Sequence, residues 1–196
     1  LQQIENGHWK DQINDIRYHV KNGRSIEASQ IKGNLPAVTI SATFKERRKI
    51  GFVDKYSGLL HLDYDKLEDI EEVKANLISI PYTYSAFISP SGNGVKVLVK
   101  CDSDISTHTT AFNNLRGYYD KIVGVESDKS VKDITRLCYV SYDPDLYLNE
   151  TSEVFKYKSS TLDQIDLNWV WNFTGNKHDF VVGNRNNFVY SFACNA

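Results

Sequence analysis

The sequence predicts an α+β fold in which two helices cover one face of an antiparallel sheet. Three observations carry this. Over Gly58–Asp65 the side chains alternate, with Leu60, Leu62 and Tyr64 on one face and His61, Asp63 and Asp65 on the other, the two-residue period of a strand. Directly afterwards the period lengthens, and Leu67, Ile70, Val73 and Leu77 fall on one side of a helix over Lys66–Ile78. The same switch recurs between Val95–Lys100 and the run Ile105, His108, Phe112, Leu115, Tyr119 and Ile122, a second helix.

The other elements fit around these. Trp9, Ile13, Ile16 and Val20 recur at steps of four and three, which makes a helix over His8–Val20. A loop follows and ends at Asn34-Leu35-Pro36. Val38–Phe44 reads as a strand, and Lys45–Lys49 (KERRK) as the charged tip of a hairpin. Tyr82–Ile88 is a strand, SPSGNG at 89–94 a loop, and Val95–Lys100 a strand with Val95, Val97 and Val99 opposite Lys96, Leu98 and Lys100. Asp104 or Ser106 is a candidate cap for the second helix. Ile134–Tyr142 is the last strand, stopped by Asp143-Pro144.

In order this is β-α-β-β-α-β, the ferredoxin-like (RRM-like) split unit. Its first and third strands are central neighbours and its fourth borders the first. The Asp63/Asp65 strand then lies beside the Lys96 strand, with the Arg136 strand on its other side. The expected division is an N-terminal helical extension over 1–34, a core over 35–150, and a linker with the start of a helical module over 151–196. Within the last part, Leu162–Val170 and Asn184–Cys194 read as helices.

Length and composition narrow the class. The chain has 196 residues, 41% of them hydrophobic, enough for a proper core. Lys+Arg is 23 against Asp+Glu 25, a formal charge of -2, so any nucleic-acid contact must be local. No run of about 18 apolar residues suggests a membrane span, and LQQIENGHWK lacks the apolar stretch of a signal peptide. The three cysteines, Cys101, Cys138 and Cys194, lie far apart, form no CxxC pair and are odd in number, which points to a reducing cytoplasm. Methionine is absent and GNRNNFVYSFACNA stops inside a helical pattern, so the sequence reads as a fragment.

Three constellations can carry chemistry. Asp63 and Asp65, two apart on a strand, point to the same side about 7 Å from each other. They are either solvated acids at a strand end or carboxylates that hold a divalent cation such as Mg2+, whose remaining shell suits water and substrate phosphate. Their place on a strand with an intact apolar face favours the second. Ser91-Gly92-Asn93-Gly94-Val95-Lys96 is either an ordinary hairpin loop or a phosphate-binding loop, with backbone N–H groups and the Lys96 charge turned toward an anion. Asp128 precedes the last strand and can supply a third metal ligand, Asp133 being the alternative. Arg136 can reach a phosphate in bidentate fashion, or can simply pair with an Asp on the surface. His108, on the apolar stripe of its helix, reads as a packing residue, and His61 as a neighbour of the Asp63 face. HExxH, GxGxxG and Walker signatures are absent from the sequence.

At these residues the chain resembles the archaeo-eukaryotic primase superfamily, most of all the primase-like N-terminal domain of virulence-associated-E-type proteins of mobile elements. The resemblance runs from about Leu35 to Asn149. LLHLDYDKL (59–67) is similar to the first motif, SPSGNGVKVLV (89–99) to the second, and SDKSVKDITRLCYVSYDPDLY (127–147) to the third. GNRNNFVYSFAC (183–194) is similar to the start of the helical module that follows such cores. Much of the superfamily has His in the second motif where this chain has Lys96.

The resemblance implies primer synthesis from nucleoside triphosphates on a single-stranded DNA template, with Mg2+ or Mn2+ held by Asp63, Asp65 and Asp128. Ser91, Gly92, Gly94, Lys96 and Arg136 are then the nucleotide-binding residues, and a helicase domain in cis or in trans the expected partner. There are two rivals. One is a binding module whose open sheet face grips single-stranded DNA through Tyr and Lys, or holds a partner such as a helicase, without catalysis. The other is a nuclease whose carboxylates direct water.

Overall fold

The computed structural model describes residues 1–158. It is a mixed α+β structure whose sheets are all antiparallel. Three helices come first: α1 (Gln2–Glu5), α2 (Lys10–Lys21) and α3 (Ser25–Gly33). Next are β1 (Ala37–Thr39), β2 (Ala42–Phe44), β3 (Val53–Tyr56) and β4 (Leu59–Tyr64). Then follow α4 (Ile70–Ile78), β5 (Thr83–Ile88), β6 (Val95–Lys100), α5 (His108–Val123), β7 (Leu137–Tyr139) and β8 (Tyr147–Leu148). The helices expected over 162–170 and 184–194, and Cys194, lie outside the described residues.

The strands form a four-stranded sheet in the order β4-β6-β5-β8, a β2-β3 hairpin and a β1-β7 ribbon. The β4-β6 neighbourhood agrees with the sequence-based expectation. The last strand does not border β4: β7 pairs with β1, Cys138 opposite Val38. Instead, the Asp128 N–H donates to the Asp63 carbonyl at 2.8 Å, so the segment before β7 runs along the free edge of β4.

The principal core lies between the sheet and two helices. Leu60, Leu62, Tyr64, Val95, Val97 and Val99 meet Val73 and Leu77 of α4 and Ala111, Phe112, Leu115 and Tyr119 of α5. Each large side chain buried in this way contributes about 1.5–3 kcal/mol, so these alternating faces hold the sheet together. Asp69 caps α4 by accepting the Glu72 N–H at 2.9 Å, which is why the helix begins at Ile70 and not at Lys66. Asp104 accepts the N–H groups of Ser106 and Thr107, so α5 starts at His108.

The opposite face of the sheet, expected to be open, is partly covered. Phe87 and Leu98 pack on Ile4 of α1 and Cys138 of β7. Behind β7, α2 and α3 close a third cluster of Ile13, Ile16, Ala28 and Leu35 against Tyr139, Val140 and Tyr142. The stretch from 25 to 33, read as loop, is helical because Ala28 and Ile31 find this partner. Val38–Phe44 splits into two strands that serve different sheets. No helix among the described residues is long and apolar enough to cross a membrane.

Two close contacts fix the loops around β4. A Cβ on Gly94 would stand 2.3 Å from the Tyr64 carbonyl oxygen, so only glycine lets the β5–β6 turn pass the end of β4. Lys74 Nζ donates to Asp143 Oδ2 at 2.7 Å and to the Asp145 carbonyl at 2.8 Å, while Asp143 also accepts the Ile88 N–H at 2.8 Å. Both charged groups are buried, so each needs the other. Lys74→Ala should therefore lower stability by about 3–5 kcal/mol in chemical denaturation, against under ~1 kcal/mol for the exposed Lys45→Ala.

Candidate functional site

β4 and β6 spend their inner positions on the core, so Asp63 and Lys96 both face away from the helices. They stand directly opposite in register, and Lys96 Nζ donates to Asp63 Oδ2. Asp63 is 9% exposed and Lys96 5%, which makes this a buried ion pair. The second oxygen, Asp63 Oδ1, is buried and has no hydrogen-bond partner. Buried polar atoms are nearly always bonded, so this oxygen calls for a partner, which a water, an ion or a small side-chain shift can supply.

A cavity of about 300 Å³ opens onto this pair, lined by Lys32, Arg48, Asp63, Lys96, Arg136, Leu137 and Tyr139. Four cationic side chains against one carboxylate give the lining a formal charge of +3 (four minus one). Lys32 comes from α3 and lies over the Tyr139 ring at 5.7 Å. Arg48 comes from the β2–β3 tip and donates to the Thr135 carbonyl, two residues before Leu137. Neither was singled out from the sequence. The KERRK run was visible, but nothing local shows that the hairpin folds back against β7.

Neighbouring groups register the positive field. His61 lies two residues before Asp63 on the same strand and is buried. Burial, then the charges of Lys96 and Arg136, push its pKa down to about 3, so the imidazole is neutral. Asp65 sits just past the end of β4; burial, then the Asp63 charge, raise its pKa.

The third motif folds into its own turn. Asp128 accepts the Ser130 N–H at 2.8 Å and its hydroxyl at 2.6 Å, and stands 3.5 Å from Arg136. Burial would raise the Asp128 pKa, but the Ser130 hydrogen bonds, Arg136 and Lys96 outweigh it and hold the carboxyl below its usual range. Asp133 accepts the Thr135 N–H and turns the chain into β7, apart from the cavity lining.

The glycine loop is also spoken for. Ser91 Oγ meets Ser89 Oγ at 3.0 Å, and Gly92, at φ 76°, lies under the Arg17 side chain. Arg17 in turn donates to the carbonyls of Ser89 and Tyr142. Ser91, Gly92 and Gly94 do not line the cationic cavity, although Gly94 lies against Asp65. The expected site thus divides into Asp63, Lys96 and Arg136 in the cavity and the glycine loop beside Asp65.

Among the described residues, no group of three or more His, Cys, Asp or Glu side chains is arranged to hold a metal ion. Asp63 lines the cavity and Asp65 follows one residue past the end of the same strand; both are hard oxygen donors, the ligand type that Mg2+ and Mn2+ take. His108 is a packing residue as expected, buried with Nδ1 2.9 Å from Tyr56 Oη. A larger cleft of about 660 Å³ runs over Phe87, Leu98 and Tyr84 beneath α1 and the β1-β7 ribbon, and its lining is mostly apolar.

Comparison with known proteins gives one finding. The family model described as "BT4734-like, N-terminal domain" matches residues 30–148, a span that includes Lys32, Arg48, Asp63, Lys96 and Arg136. No curated protein and no solved structure matches the chain.

The buried His61 predicts a pH dependence with a definite sign. Its pKa falls from 6.5 to about 3 on folding, so its contribution to stability is complete above pH 6.5 and is lost as pH falls toward 3. The melting temperature of the wild type should drop across that window, and His61→Gln should flatten the drop.

Proposed function

The chain belongs to the BT4734-like N-terminal domain family, and from its cavity and its sequence motifs we propose that it is a primase-like nucleotidyltransferase domain whose cationic cavity takes the phosphates of a nucleoside triphosphate. One observation carries this reading: the buried Asp63–Lys96 pair lines a cavity with three further cations around it. The β4-β6-β5 order, with α4 and α5 on one face, supports a ferredoxin-like core whose fourth strand has been drawn off to pair with β1.

In this reading Lys32, Arg48, Lys96 and Arg136 bind the polyphosphate and orient its α-phosphorus toward an incoming 3′-hydroxyl. As the bond to pyrophosphate breaks, the same cations stabilise the charge that develops on the leaving group. Lys96 also holds Asp63 in place, so Oδ1 keeps one direction. Mg2+ or Mn2+ held by Asp63 Oδ1 and Asp65 would add Lewis-acid neutralisation of the phosphates. The strand providing the 3′-hydroxyl would be paired with a single-stranded DNA template, and a helicase domain in cis or in trans is the corresponding partner.

A second reading, phosphate binding without catalysis, is favoured by one feature. Lys96 already places a cation on Asp63 Oδ2, and Asp128 is occupied by Ser130.

Calorimetric titration of ATP with Mn2+ separates the two. Asp63→Asn/Asp65→Asn is the suitable variant, because an amide oxygen still accepts from Lys96. The catalytic reading expects Mn2+ to tighten ATP binding by about tenfold, ~1.4 kcal/mol, and the variant to lose that gain. Equal ATP affinity with and without Mn2+ in both proteins would leave the binding module. Absence of any binding would dispose of both readings.

A further inference from the structure

The β2–β3 hairpin carries a feature that nucleotidyl transfer at Asp63 does not use. The two strands pair over Ala42–Phe44 and Val53–Tyr56, so residues 45–52 project beyond the ladder. Lys45, Arg47, Arg48 and Lys49 against Glu46 give +3 (four minus one) in five residues, in a chain whose total is -2. All five are exposed. Lys45 stands 3.6 Å from Asp54, which offsets that charge and leaves Arg47, Arg48 and Lys49 as the cations of the tip.

The same tip exposes apolar surface. Ile50 is 63% exposed, and the Arg47 guanidinium lies 4.9 Å from the centre of the Phe52 ring. A strand of nucleic acid has a use for both, since its phosphates take the cations and the faces of its bases take apolar and aromatic side chains. The tip is also fixed in place. Arg48 donates to the Thr135 carbonyl and lines the cationic cavity.

We infer that the 45–52 tip is a nucleic-acid-binding finger, with Arg47 and Lys49 gripping backbone phosphates and Ile50 packing against a base. It takes single-stranded nucleic acid, whose unstacked bases are free to meet Ile50. The finger stands on its own charge and exposure, whether or not the cavity transfers nucleotides. It relocates strand binding from the sheet face, which α1 and β7 partly cover.

The test is fluorescence anisotropy of a labelled oligodeoxythymidine with the full chain across a salt series, beside calorimetry of inorganic tripolyphosphate. For Arg47→Ala/Lys49→Ala, strand affinity should fall about tenfold or more and the log–log salt slope should drop by about 1–2. Ile50→Ser should weaken binding several-fold with the slope unchanged. Both variants should bind tripolyphosphate as the wild type does. Strand binding that is lost in these variants while the wild type takes no tripolyphosphate would support the finger and count against the cavity reading. Tripolyphosphate binding with no strand binding, or strand affinity unchanged in the variants, would overturn the finger.

Discussion

The pairing of Asp63 with Lys96 across β4 and β6 is the constraint on which the site depends. Two charges at neighbouring positions of a central sheet face are expensive to bury, and well-packed apolar residues there would hold the sheet at least as well. The pair's effects are local: it fixes the direction of Asp63 Oδ1, its Lys96 charge adds to burial in lowering the His61 pKa, and it brings one cation to a cavity that three others surround. Removing either partner would leave the other charged and alone, so the two act as one unit.

Around that unit, the structure uses long-range contacts to bring in charge. Lys32 reaches the cavity because α3 packs through Ala28 and Ile31 near Tyr139. Arg48 reaches it because the hairpin bends back to the Thr135 carbonyl. Lys74 and Asp143, buried as a second ion pair, tie α4 to the turn after β7. Helix α3 thus forms part of the wall of the candidate site.

How much of this could be read in the sequence varies by element. β4, α4, β5, β6 and α5 were legible because each presents a clean period of two or of 3.6, and their order gave the β4-β6 neighbourhood directly. The partner of β7 was not legible. The exchange of β4 for β1 depends on a ladder between Ala37–Thr39 and Leu137–Tyr139, too short to leave a pattern. α3 was missed because only Ala28 and Ile31 mark its buried side. At the site, Asp63, Lys96 and Arg136 were found from their motifs and do meet at one cavity. The glycine loop was a less faithful guide: Gly94 answers to the Tyr64 carbonyl and Gly92 to Arg17, reasons that only the packed structure reveals. Asp128 was placed near the site by its motif, and its backbone does meet Asp63, while each of its carboxylate oxygens accepts a hydrogen bond from Ser130.

The most direct test of the central claim is a crystal structure of the chain with a non-hydrolysable nucleoside triphosphate and Mn2+, located by its anomalous signal. The account predicts phosphate oxygens among Lys32, Arg48, Lys96 and Arg136, and a manganese peak at Asp63 Oδ1 and Asp65 bridged to those phosphates. Phosphates bound at the glycine loop or elsewhere, with Asp63 still held by Lys96 alone and no manganese near it, would contradict it.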